Sequence, residues 1–202
     1  ADIEQKEILE IGCGDGRITK LLAESSDSVY AIDPDSERVR LAQQAAPNAS
    51  VAVGSGEDLH FEANRFDLVI FTLSLHHHSD RLRALNEAAR VVKPNGKILV
   101  IEPVADGELE RVFAFINDEE AVLAETQAII SGSRFAVVRD MTFTANWIFD
   151  DAQEVCTILF DQYDLDFDHK IASKVYDFMG DKVDQKPVIL VDKLRAQVIQ
   201  KS

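Results

Sequence analysis

Between Glu7 and Asp106 five short apolar runs alternate with amphipathic stretches, and this alternation leaves the chain few architectures to choose from. The runs are "EILEIG", "SVYAID", "ASVAVG", "FDLVIFTLSL" and "KILVIEP". The fourth is apolar at nearly every position, as expected of a strand covered on both faces. Asp15 to Glu24 carries Ile18, Leu21 and Leu22 at helical spacing. "DSERVRLAQQAA" reads as a second helix that stops before Pro47, and Asp80 to Val92 as a third. "PNG" makes the turn into the fifth run. Strands joined through helices by short connections need right-handed crossovers, which place helices on both faces of a parallel sheet. The expected fold is therefore α/β: a Rossmann-like, doubly wound, mostly parallel sheet of about seven strands.

Beyond Pro103 the rhythm changes. Gly107 to Ile130 reads as helical, with Leu109, Val112, Phe113, Ile116, Val122 and Leu123 available for packing, and "SGS" at Ser131–Ser133 as a break. "MTFTANWIF" alternates like a strand exposed on one face, and helices are expected near Asp151–Tyr163 and Asp168–Met179. "PVILVDKLRAQVIQK" reads as an edge strand, or as a strand followed by a tail. No repeat, low-complexity tract or linker interrupts the 202 residues, so a single domain over 1–202 is expected.

Composition narrows the function. With 21 basic and 36 acidic side chains the formal net charge is −15, which disfavours nucleic acid and anionic membrane as partners. No apolar run reaches the roughly 20 residues of a membrane span. Two distant cysteines, Cys13 and Cys156, are too few for a disulfide framework and read as free thiols. With no charged-then-apolar leader in the sequence, a cytoplasmic protein is expected.

The chemistry concentrates where the first run ends. "EIGCGDG" places Glu10 two positions before Gly12, and Gly12, Gly14 and Gly16 at alternate positions. The dinucleotide fingerprint G-x-G-x-x-G uses its glycines for a tight turn and for close approach to a ligand; here the third comes one position early. Alone, such a loop could be a structural turn. The second run ends in Asp33, on the same carboxyl edge of the sheet, where a carboxylate can accept hydrogen bonds from both ribose hydroxyls of a nucleoside or cap the following helix.

These residues resemble the class I S-adenosylmethionine-dependent methyltransferases, over roughly Glu7 to Glu102. "LEIGCGDG" looks like the family's first motif, "AIDPD" its ribose-binding second strand, and "VGSGEDLHF" its adenine-side loop. "FDLVIFTLSLHH" and "ALNEAARVVKPNGKILVIEP" are similar to its fourth strand and to the helix, turn and strand that follow. The likeness is strongest to small-molecule enzymes such as those acting on ubiquinone and menaquinone precursors. It implies S-adenosyl-L-methionine as cofactor, S-adenosyl-L-homocysteine as product and a small-molecule acceptor, with residues 1–105 as the cofactor-binding half and 106–202 as an acceptor-side half with extra helices. By the same resemblance Gly12 and Gly14 would approach the methionine portion and ribose, and Glu10 would fix that loop through water or backbone donors. Asp33 would hold the ribose, Pro34 would pack near the adenine, and Ser55 and Gly56 would meet its edge. Glu57, Asp58 and Leu59 would shape the loop, and carbonyls of Phe71 or Thr72 would receive the cofactor's amino group.

Methyl transfer from a sulfonium is an in-line displacement that mainly needs alignment and exclusion of water, so the motifs name no universal catalytic residue. His76 and His77, in "LHHHSD", are candidates for a general base. The competing reading has the histidines packing at the start of the next helix, with Asp80 at its N-terminus. A metal site is not expected, because adjacent residues rarely converge on one ion. Phe113, Phe115, Phe135, Phe143, Trp147 and Phe149 could line an acceptor pocket or belong to the core. The family commonly carries helices before the first strand; here about five residues precede it, and the 106–135 segment is expected to supply the cover, unless a partner subunit does so in a homo-oligomer. Two other functions compete: an S-adenosylmethionine-binding protein without turnover, and a nicotinamide-dependent oxidoreductase.

Overall fold

The computed structural model describes residues 6–26, 28–132 and 135–201. Residues 1–5, and Ser133 of the expected break, lie outside these. Seven strands and seven α-helices follow one another as β1 (Glu7–Ile11), α1 (Arg17–Ser25), β2 (Ser28–Asp33), α2 (Ser36–Ala45), β3 (Ser50–Val53), β4 (Phe66–Thr72), α3 (Arg81–Val91), β5 (Val92–Pro103), α4 (Glu108–Phe113), α5 (Glu120–Gly132), β6 (Ala136–Phe149), α6 (Ala152–Gln162), α7 (His169–Met179) and β7 (Val188–Gln200). The sheet order is β3-β2-β1-β4-β5-β7-β6. Strands β1 to β5 pair in parallel: Leu9, at the centre of β1, lies opposite Tyr30 on one side and Val69 on the other. The order reverses direction at β1 and β4, so the ends of those strands open the crevice in which an α/β sheet holds its ligand.

The chain forms two compact units. The first comprises the residues through Glu102, Ala124–Met141 and those from Arg195 on; the second is Pro103–Leu123 with Thr142–Leu194. Each has its own apolar core. In the first, Leu9, Ile11, Phe66, Phe71, Leu85 and Ile98 are shut away from solvent between sheet and helices. The second is built on Val112, Val155, Leu159, Phe160, Val175 and Leu190. Burying an apolar side chain of this size contributes about 1.5–3 kcal/mol, and β1 is buried at four of its five positions, Glu10 among them, as an internal strand is.

Four expectations need correction. The helical stretch from Gly107 is two helices, α4 and α5, because Asp118 accepts the Glu120 N–H at 3.0 Å and starts a new helix after the turn at Phe113–Asn117. "PNG" lies inside β5 and not ahead of it: Phe66 pairs with Val92 and Leu68 with Lys97, so the segment between bulges out opposite Asp67. The last strand is internal, with β6 outside it at the sheet edge, and its alternate positions Val188, Leu190, Asp192, Leu194 and Ala196 are buried. Strand β6 itself starts at Ala136, earlier than expected, and is exposed at every position to Thr144; from Ala145 to Phe149 it alternates as expected of a strand exposed on one face.

The six aromatics do not gather around one pocket. Phe135 belongs to the first core, while Phe113, Phe115, Trp147 and Phe149 pack in the second, and Phe143 is exposed on β6. Cys13 and Cys156 are both buried and free. No described helix is long and apolar enough to cross a membrane.

Candidate functional site

The site grows from the point where β1 stops. Gly12 and Cys13 both donate their N–H to the Ile32 carbonyl, at 2.8 and 3.0 Å, which ties the loop to β2. Gly12, Gly14 and Gly16 all have positive φ, at 77°, 54° and 88°, a region that costs other residues strain. Their environments differ. A Cβ at Gly12 would overlap the side chain of Ser74, and one at Gly16 would press on Ala42 of α2. At Gly14 the nearest atom is the Arg38 guanidinium, 3.6 Å away. Two of the glycines therefore let elements meet, and Gly14 leaves backbone open to a ligand.

Asp33 ends β2 beside that opening, and is almost fully buried. Its two carboxylate oxygens accept the Gly14 N–H at 2.8 Å and the Asp35 N–H at 3.0 Å. Each oxygen retains a lone pair, so the group can hold the loop and accept ribose hydroxyls together. Asp35, not Asp33, caps α2, through the N–H groups of Glu37 and Arg38. Pro34 is exposed between them.

Glu10 is buried, and the Thr19 hydroxyl on α1 donates to it at 2.6 Å. Burial pushes its carboxyl up to about 7, against the Thr19 hydrogen bond and the Arg17 charge, with a further push from Asp33. The same burial, with the charges of Glu10 and Asp33, drives the Cys13 thiol up to about 12, so it is no nucleophile.

The loop after β3 is tied down on all sides. The Leu59 N–H donates to Glu87 of α3 at 3.0 Å, and Glu57 accepts the Asp80 N–H at 3.0 Å. Ser55 and Asp58 pair across the turn. A Cβ at Gly56 would overlap the His78 ring, whose Nδ1 lies 3.0 Å from the Ser74 carbonyl and whose ring meets Phe71 edge-on.

At the end of β4, Phe71 is buried and the Thr72 hydroxyl is buried without a protein partner, an unmet polar group at the crevice. Ser74 then donates to the Ile11 carbonyl at 2.6 Å, pinning the end of β4 to the end of β1. His76 is buried, with Nδ1 on the Glu102 carboxylate at the end of β5. The His77 ring lies against it, tilted by 50° with 3.9 Å between centroids, and is exposed on its other side. Partial burial, His76, His78 and the Arg38 charge push His77 down to about 4, so it is neutral at neutral pH. The two rings do converge, so adjacency is no argument against a shared ion here. Asp80 caps α3 through Arg83 N–H at 2.9 Å, as expected.

Sequence reasoning missed Thr19, Ser74, His78, Glu87 and Glu102. Only Glu102 left a signal, as an acid ending an apolar run in the manner of Asp33. The residues fit a nucleoside-bearing cofactor: an open glycine backbone, a carboxylate with spare lone pairs and an unsatisfied hydroxyl lie at the ends of neighbouring parallel strands.

Comparison with known proteins agrees. Residues 9–100 match the model of a family described as "Methyltransferase domain". An uncharacterised methyltransferase of Mycobacterium tuberculosis is 30% identical over 104 residues, covering 52% of this chain and 42% of its own length. The ubiquinone biosynthesis O-methyltransferase of Azorhizobium caulinodans is 34% identical over 97 residues, 46% of this chain and 38% of its own. The solved structure of a candidate methyltransferase from Bacillus halodurans has the same fold, with a TM-score of 0.70 at 16% identity, over 98% of this chain and 93% of that one. The chain spans about half the length of the curated relatives it matches.

Proposed function

We propose that this chain, whose residues 9–100 match the methyltransferase-domain model, is a class I methyltransferase that takes S-adenosylmethionine as methyl donor and methylates a small-molecule acceptor. The observation that carries the reading is the Asp33 carboxylate, clamped to the one open glycine of the loop at the switch point of a parallel sheet. In this reading Asp33 accepts the ribose hydroxyls and Pro34 lies by the adenine. The braced loop Ser55–Leu59 borders the adenine edge. The ends of β1 and β4 at Gly12, Gly14, Phe71 and Thr72 receive the methionine portion. Glu10 holds α1 to this loop through Thr19.

The bound sulfonium supplies an already activated methyl group. The protein's share is alignment and exclusion of water, for which a loop fixed at Ile32, Ser74 and Asp33 is suited. His77, pushed down to about 4, is a weak base, so the acceptor brings its own nucleophilic lone pair or arrives ionised. The likeness to an enzyme named for ubiquinone biosynthesis makes phenols the first acceptors to assay.

Calorimetric titration with S-adenosylhomocysteine and with NAD, followed by methyl transfer to a panel of phenols, thiols and amines, tests the proposal. Binding of S-adenosylhomocysteine, with turnover of one acceptor class, is expected. Binding of NAD alone would replace it with an oxidoreductase, and tight binding without turnover on any class would leave a cofactor-binding protein.

A further inference from the structure

Gly14 is the glycine of the loop with room above it, and the atom nearest that space is Nη1 of Arg38, 3.6 Å from where a Cβ would stand. Arg38 lies in the first turn of α2, where Asp35 accepts its backbone N–H and its side chain is exposed. Three carboxylates are close to it in sequence, and each is engaged elsewhere. Asp33 accepts the Gly14 and Asp35 N–H groups, Asp35 caps the helix, and Glu37 takes Nε and Nη2 of Arg40. Other arginines of the first unit hold acids: Arg65, Arg81, Arg90 and Arg195 pair with Glu7, Glu125, Glu87 and Asp140. Among the described residues no carboxylate pairs with the Arg38 guanidinium, in a chain with 36 acidic side chains to 21 basic ones. Solvent alone can satisfy an exposed guanidinium, but this one stands where anything approaching Gly14 must meet it. Its charge also reaches His77 in the turn after β4, where, after burial and the neighbouring His76 and His78, it helps keep that ring neutral. Arg38 therefore overlooks the crevice between the ends of β1 and β4.

Resting on the methyltransferase reading, we propose that Arg38 recognises the amino-acid end of the cofactor, its guanidinium taking the methionine carboxylate beside Gly14. The cofactor's own charges single out that group. Adenine and ribose are neutral, the sulfonium and the amine are cationic, and the carboxylate is the one anion. A guanidinium stays charged at every working pH, and its planar fork matches a carboxylate through two parallel N–H···O bonds. Set against the sulfonium the same charge would oppose binding; set against the carboxylate it attracts. Asp33 and Arg38 then act on different parts of one ligand around the same glycine, Asp33 through its N–H and Arg38 across its bare Cα. Arg38 is in this role a specificity residue, favouring nucleosides that carry an amino acid over those that do not.

Arg38→Ala leaves the helix cap in place, because Asp35 bonds a backbone N–H that alanine also supplies. Calorimetric titration of the full chain with S-adenosylhomocysteine, and with its decarboxylated form, which keeps nucleoside, sulfur and amine, tests the assignment. The wild type is expected to bind S-adenosylhomocysteine at least about tenfold more tightly than the decarboxylated form. Arg38→Ala should lose about that factor on S-adenosylhomocysteine and stay within about twofold on the decarboxylated form, with Arg38→Lys in between. Added salt should narrow the wild type's preference and leave the Arg38→Ala protein unmoved. Equal losses on both ligands would overturn the proposal, since Arg38 would then be packing on the nucleoside. So would unchanged S-adenosylhomocysteine affinity in Arg38→Ala, which would make Arg38 a solvated surface residue and leave the methyltransferase reading standing. A wild type that binds neither ligand would sink that reading and the Arg38 assignment together.

Discussion

The two units bury polar groups for different ends. In the first, Glu10, Asp33, Ser74, His76 and Glu102 are buried at the carboxyl ends of β1, β2, β4 and β5 or in the turns that follow. In the second, polar groups mostly serve ends of elements: Asp151 and Asp168 cap α6 and α7, and Glu108 takes Lys182 and the Val191 N–H. Its one buried carboxylate among the described residues, Asp192, packs over Gly107 at the start of α4 and is raised by burial. Burying polar groups is costly unless each finds a partner. A fold that concentrates them along one sheet edge has a use for that edge, whereas caps at helix starts need no further explanation.

Two matched glycine substitutions put the contrast to its hardest test. Gly12→Ala and Gly107→Ala each force a Cβ into an occupied side chain, Ser74 and Asp192 respectively, and the first also strains a positive φ. Each should lose about 4 kcal/mol of stability in urea unfolding. Under native conditions Gly12→Ala should also abolish measurable S-adenosylhomocysteine binding, while Gly107→Ala leaves it within a few-fold; equal effects on binding would erase the distinction between units.

Titration sharpens it next. Glu10 is raised from 4.5 to about 7 in the folded chain. The folded state holds that proton more tightly, so its contribution is complete below about pH 4.5 and is lost as the pH rises through 7, about 3 kcal/mol in all. Urea unfolding at pH 5 and 8 should show this loss in the wild type, and Glu10→Gln, which keeps an acceptor for Thr19, should flatten it. A slope unchanged by the substitution would mean that Glu10 is ionised in the fold. The smallest effect belongs to the second unit: Asp168→Ala removes the cap that accepts Lys170 and Ile171 N–H and should cost about 1 kcal/mol, with no change in cofactor affinity.

What could be read from the sequence follows the same division. Strands β1 to β5 and helices α1 to α3 declare themselves through local period, and the Asp33–glycine-loop pairing follows from two strand ends on one sheet edge. Ser74 with Gly12 and Glu102 with His76 are joined by which strand ends become neighbours, information that no local window contains, whereas Glu10 with Thr19 spans only the turn from β1 into α1. Strand order hid in the same way: an alternating last segment suits an edge, yet β6, earlier in the chain, takes the outer place. The start of α5 was readable, since an Asp two residues before the first helical N–H is an ordinary cap.

The central claim is that Asp33 and the open glycine beside it hold the nucleoside of S-adenosylmethionine. Isothermal titration of S-adenosylhomocysteine into wild type and Asp33→Ala at matched stability tests it most directly. The account predicts saturable one-to-one binding by the wild type and a loss of at least about 30-fold, some 2 kcal/mol, in the variant. Equal affinity in both proteins would contradict it.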